Sequence, residues 1–253
     1  MVRKYFVLLI GLTFLLPAAF GEVSIQNDQQ YIGDDGAFHV VGEIQNDLNL
    51  PLNQVSVFVT LYDENQKVIV TKETQSLVNT IMPEMKGPFD FIFTNLKADE
   101  IKSYSLDFDY SISDPKGQVI GIISSELNRD NFNNIIISGT VENNGENTAN
   151  TVAVIATLYD KEGNVAAVSR VHPEPDYLSS EDDVFFVVSM PDKNQISEVT
   201  HYTVVAESEE YAAVPEFPIG SIGLLVGSVS AYIGITRYSG RVITNLVSAT
   251  NPK

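Results

Sequence analysis

Shifted by 97 positions, the sequence falls on itself without a gap over two stretches. Gly42 meets Gly139, Asn46 meets Asn143, Asn53 meets Asn150, Val55 meets Val152 and Val57 meets Val154. Thr60-Leu61-Tyr62-Asp63 then meets Thr157-Leu158-Tyr159-Asp160, Val68 meets Val165 and Phe89 meets Phe186. A four-residue identity inside that register marks a tandem duplication, so one fold must serve both copies.

Each copy reads as strands. Phe38, Val40, Gly42 and Ile44 alternate with other residues, as do Ile135, Ile137, Gly139 and Val141. Val55, Val57, Val59 and Leu61 repeat the pattern, matched by Val152, Val154, Ala156 and Leu158. A period of two puts each set on one face of a sheet. The segments 63–67 and 160–164 are placed as hairpin loops. Further strands are expected at 23–25, 89–93 and 104–110, and at 119–123, 184–188 and 202–206. About seven short strands in about 90 residues is the pattern of an immunoglobulin-like β-sandwich. The chain therefore reads as all-β, two tandem sandwiches at 22–114 and 115–206, with the break near the turn signal Asp114-Pro115-Lys116-Gly117.

The paired Leu61-Tyr62-Asp63 and Leu158-Tyr159-Asp160, with Gly-x-[Ile/Val]-x-Asn upstream, resemble the FxLYD family, a small β-sandwich domain of archaeal and bacterial surface proteins. The family's leading Phe is replaced by Val59 and Ala156. The resemblance implies a surface location and no catalytic activity. Residue by residue, Tyr62 and Tyr159 are expected to cover the core rim with the hydroxyl bonded to backbone. Asp63 and Asp160 are expected to open the turn by accepting backbone N–H bonds.

The two ends set the compartment. A basic start, Arg3-Lys4, leads into an apolar stretch over residues 6–16 and a small-residue exit, Pro17-Ala18-Ala19-Phe20-Gly21. That is a secretory signal peptide over 1–21, cut between Gly21 and Glu22. A second apolar stretch over 217–235 carries no charge, is preceded by an acidic stalk over 207–216 and is followed by Arg237 and Arg241 in a tail over 236–253. At 1.5 Å per residue it reaches about 28 Å, enough for a transmembrane helix. The positive-inside rule puts the tail in the cytoplasm and the repeats outside, as a single-pass cell-membrane protein. Gly223, Gly227 and Ala231 share a helix face on which two copies could approach as a homodimer. Pro215-Glu216-Phe217 before the span resembles the C-terminal sorting signals of archaeal surface proteins, which implies cutting near the motif and transfer to a lipid. A plain type I anchor is the alternative.

Charge and chemistry narrow the function. All 33 acidic residues and ten of the 15 basic ones lie between Glu22 and Glu216, leaving that stretch at −23. Such a surface repels nucleic acid and anionic membrane faces. Without cysteine there is no disulfide or zinc-thiolate site. His39, His172 and His201 show no ligand spacing, and His39 is placed on the outward side of its strand. No cofactor is called for; Asp107, Asp109 and Asp114 are weak calcium candidates near the repeat boundary. The motifs of hydrolases and phosphate loops are missing, so no catalytic residue is expected. The expectation is a non-catalytic surface protein that docks an envelope or surface-layer protein. The alternative is an accessory subunit of a membrane complex that presents a ligand or calcium.

Overall fold

The computed structural model describes residues 21–132, 134–190 and 199–215. The expected signal peptide, apolar span and tail lie outside the described residues, as do Glu216 and Phe217 of the sorting motif. No helix among the described residues is long and apolar enough to cross a membrane.

The described residues are all-β, with seven strands in each copy. In repeat 1, β1 (Val23–Ile32), β2 (Phe38–Asn46) and β6 (Lys86–Phe93) form one sheet in the order β1-β2-β6. The facing sheet has β3 (Leu52–Tyr62) between β4 (Val68–Gln75) and β7 (Ser103–Ile112), with short β5 (Thr80–Ile81) pairing the start of β3. Repeat 2 follows the same plan in six strands, while its short seventh strand pairs the counterpart of β7 rather than that of β3. One sheet is β8 (Ile120–Arg129), β9 (Ile135–Asn143) and β12 (Asp183–Met190). The other is β11 (Val165–Val171), β10 (Ala153–Tyr159), β13 (His201–Glu207) and β14 (Val214–Pro215).

The alternating residues fill the space between the sheets. Phe89, Phe91, Ile44, Leu52 and Leu61 are fully buried in repeat 1, and Phe186, Ile135, Ile137 and Leu158 in repeat 2. Each such side chain contributes about 1.5–3 kcal/mol by leaving water. The repeated glycine has a packing reason. Gly42 pairs across the ladder with Phe89, and Gly139 with Phe186. A Cβ on Gly42 would lie 2.6 Å from the Phe89 ring; on Gly139 it would lie 2.0 Å from the Ser124 carbonyl oxygen and 2.8 Å from Phe186. Only a residue without a side chain lets the ring lie over the strand.

Burial on the outer faces differs between copies. β9 alternates buried with half-buried residues, whereas its counterpart β2 is buried at eight of nine positions. β3 alternates along most of its length, whereas its counterpart β10 is buried throughout. The reason is that repeat 2 sets the outer face of β10-β11-β13 against the outer face of β2 and β6. Ile155 and Ala153 of repeat 2 are buried within the repeat 1 core cluster, and Val41 packs with Tyr159 and Val165. His39 is therefore not on a solvent face: it is 5% exposed, 3.1 Å from Asp90 and stacked on Tyr31.

Two boundary expectations change. Residues 113–119 run as an extended linker rather than a turn, with Lys116 Nζ donating to the Glu209 carbonyl at 2.9 Å. Residues 207–215 are not a free stalk. Glu207 ends β13 and is 1% exposed, Ala212 and Ala213 are buried, and β14 pairs β13. Burial of these small apolar residues holds the segment against the sandwich in spite of its three carboxylates.

Candidate functional site

The duplicated Thr-Leu-Tyr-Asp builds the same turn twice. Asp63 Oδ1 accepts the backbone N–H of Asn65 and Lys67, each at 2.9 Å. Asp160 Oδ1 accepts those of Glu162 and Asn164 at 2.9 Å. The turn needs a left-handed residue, filled by Gln66 at φ 60° in repeat 1 and by Gly163 at φ 88° in repeat 2. The repeated Asn is a second clamp. Asn46 and Asn143 are fully buried, and their amides donate to Leu50 and Ile81 carbonyls and to Asn147, Leu178 and Ser179 carbonyls. Their side-chain oxygens accept the N–H of Leu48 and Gly145 at 3.0 and 2.9 Å. Each ties the loop that follows its own strand to a second segment, at Ile81 in repeat 1 and at Leu178-Ser179 in repeat 2. The sequence showed these residues only as register matches; their spacing of 97 was the available signal.

The two tyrosines part company. Tyr62 is half-buried and its hydroxyl meets Ser105 Oγ at 3.1 Å, a side chain rather than the expected backbone group. Tyr159 is 5% exposed and crosses the junction to donate to Glu43 Oε1. Glu43 Oε2 accepts from Lys86 Nζ at 2.8 Å and from Asn27 at 3.1 Å. His201 stacks on the Tyr159 ring at 4.6 Å, and Lys86 Nζ sits 5.8 Å from its centroid. Burial pushes the Tyr159 phenol up from its ordinary value, and the Glu43 charge and hydrogen bond add to the shift.

Further bonds close the junction. Gln29 donates to the Val165 carbonyl at 2.6 Å, and Arg170 Nη1 donates to the Leu77 carbonyl at 2.6 Å. Asn79 N–H donates to the Glu207 carboxylate at 3.0 Å, and Arg170 pairs with the same carboxylate at 3.2 Å. Burial pushes the Glu207 carboxyl up, opposed by the Asn79 N–H and the Arg170 guanidinium.

A cavity of about 160 Å³ lies here, lined by Glu43, Met85, Lys86, Ile155, Tyr159 and Val205. Both Glu43 oxygens are engaged by donors, and Glu84 adds a second carboxylate to the lining of this cavity. The cavity is smaller than ordinary ligand pockets of about 300 Å³ or more. A second crevice of about 270 Å³ beside the linker is lined by amides and hydroxyls, including Asn53, Asn79 and Ser113, with Lys116.

The calcium candidates do not converge. Asp107 and Asp109 lie on the outer face of β7, where each Oδ1 accepts the next residue's N–H at 2.9 and 2.8 Å, and Asp114 is exposed in the linker. Among the described residues no three His, Asp or Glu groups are placed to share a metal. His172 Nδ1 lies 2.8 Å from the Val152 carbonyl, His39 lies against Asp90 and His201 stacks on Tyr159.

Fold and junction define a tandem β-sandwich protein whose repeats are joined face to face through a buried polar clamp. No family model and no curated protein matches the sequence. Among solved structures, the chain is similar to the exo-chitosanase of Amycolatopsis orientalis at 9% identity and TM-score 0.30, over 78% of this chain and 26% of that one. It is similar to a glycoside hydrolase family 2 β-glucuronidase at 12% identity and TM-score 0.27, over 76% and 23%. Red sea bream transglutaminase gives 8% identity and TM-score 0.25, over 76% and 29%. The chain spans about a quarter of the length of these proteins. Likenesses at this level carry nothing about activity.

Proposed function

We propose that this is a non-catalytic cell-surface protein, anchored by its C-terminal apolar segment or by lipid, that presents two FxLYD-like, immunoglobulin-like repeats as one fixed unit to an envelope or surface-layer protein. The observation that carries the reading is the junction. Buried Glu43 is engaged by Tyr159, Lys86 and Asn27, so the carboxylate at the junction cavity holds the repeats together rather than facing a substrate. The strand order β1-β2-β6 over β4-β3-β7 supports the immunoglobulin-like assignment. The leader, the apolar segment and the acidic middle support display outside the cell.

Intact cells are labelled with a membrane-impermeant amine reagent, and the mass of the extracted protein is measured. The expected result is labelling of repeat lysines on a chain that begins at Glu22. A mass ending at Lys253 identifies a retained transmembrane anchor, and one ending near Pro215-Glu216-Phe217 identifies sorting. A chain that begins at Met1 and escapes labelling sinks the proposal.

A further inference from the structure

The in-chain contact joins two different faces, and each has a counterpart elsewhere on the molecule that the other described residues leave exposed. The outer face of β2 and β6 is covered by repeat 2; its counterpart on β9 and β12 is open. The outer face of β10, β11 and β13 is covered by repeat 1; its counterpart on β3, β4 and β7 is open. We infer that these open faces dock on each other between copies, so that the chain self-associates head to tail by repeating its own internal contact.

The open β9-β12 face leaves large apolar side chains in water. Phe185 and Val187 are 61% and 47% exposed, and they stand at the positions of Pro88 and Asp90. Ile136 stands where His39 is. On the other face, Phe58, Tyr62 and Val68 occupy the positions of Ile155, Tyr159 and Val165, the residues that enter the in-chain contact. Val68 is 51% exposed. Apolar groups left in water on these two faces favour burial against each other. Because the faces differ, the contact is heterologous and leaves a fresh face at each end of the assembly.

Charge sets when this happens. Lys86 and Arg170 balance Glu43 and Glu207 in the in-chain contact. Their counterparts on the open faces are Asp183 and Glu73. Asp107 and Asp109 flank Phe58 on one face, and Glu126 and Glu142 lie on the other. Like charges oppose docking in dilute salt, and screening relieves them as the Debye length falls from about 10 Å at 0.1 M to about 3 Å at 1 M. Association therefore strengthens with salt, the reverse of a contact driven by ion pairs. The inference stands on the folded repeats and not on where the chain resides.

The test is sedimentation velocity of the full chain in detergent at about 0.1 M and about 1 M NaCl. Species larger than the monomer are expected at high salt, growing with concentration, and at least tenfold weaker at low salt. Phe185→Glu and Val68→Glu, both at exposed positions, each abolish them. An equimolar mixture of the two variants regains a dimer and stops there, because each supplies the face the other lacks. The double variant Asp183→Lys, Glu73→Arg restores the cation positions of the in-chain contact and associates already at low salt. A monomer under all conditions overturns the inference. So does association that survives both single variants, which would place the contact in the C-terminal segment. Loss with Phe185→Glu alone would indicate two-fold pairing of one face and also overturns it.

Discussion

Tyr62 and Tyr159 occupy the same place in an identical tetrapeptide, and removing their hydroxyls is expected to have unequal effects. Tyr159→Phe deletes a buried bond to a carboxylate, worth about 1.5–3 kcal/mol. The ring stays, with its stack on His201, and Glu43 keeps Lys86 and Asn27. The net loss is therefore set at about 2 kcal/mol, the middle of the range for such bonds. Tyr62→Phe deletes a hydroxyl pair open to water at 3.1 Å from Ser105 and is expected to cost less than about 0.5 kcal/mol. The assay is urea unfolding of the full chain followed by tyrosine fluorescence, since the chain has 11 Tyr and no Trp. With a slope of about 2 kcal/mol per molar, Tyr159→Phe lowers the midpoint by about 1 M and Tyr62→Phe by a quarter of that or less. A double-mutant cycle with Glu43→Gln then assigns the loss to the pair. Equal midpoint shifts for the two variants would refute the reasoning, because they would mean that the junction bond adds nothing to what a surface hydroxyl does.

Other outcomes follow from the same contacts. Gly139→Ala meets a backbone carbonyl and Gly42→Ala mainly a ring edge, so thermal unfolding should show a loss of about 1–3 kcal/mol or more for Gly139→Ala and a smaller one for Gly42→Ala. Asn143→Ala removes the donor to the Asn147, Leu178 and Ser179 carbonyls and leaves the buried Gly145 N–H without its acceptor; the Leu178 carbonyl keeps the Ala149 N–H, so the cost should be about 1–3 kcal/mol in chemical denaturation, as for one unmatched buried group, and protection of the 145–149 amides from hydrogen exchange should fall with it. Gln66→Gly relieves a left-handed residue and should leave stability unchanged or raise it by up to about 1 kcal/mol, whereas Gly163→Gln lowers it. On pH, Tyr159 and Glu207 both have folded values raised above unfolded ones. The contribution of each is present below the unfolded value and is lost as pH rises. Unfolding midpoints should therefore fall above about pH 10 as unfolded tyrosine ionises, less steeply in Tyr159→Phe, and Glu207 should favour the folded state more as pH drops toward its unfolded value near about 4.3.

The sequence by itself determined the duplication, the all-β class, the inward-facing residues and the Asp turns. These rest on period-two alternation and on bonds between neighbours in the chain, which the order of residues already contains. It did not place His39, assign Tyr159 its partner or show that 207–215 packs. Each of those depends on which outer face the other repeat covers. His39 reads as outward because alternation says which side of a sheet a residue takes, and not whether that side meets water. Glu43 and Tyr159 are 116 positions apart and carry no local pattern that links them. Only the docking of one sandwich on the other brings them together, and that docking turns a rim tyrosine and a surface glutamate into a buried pair.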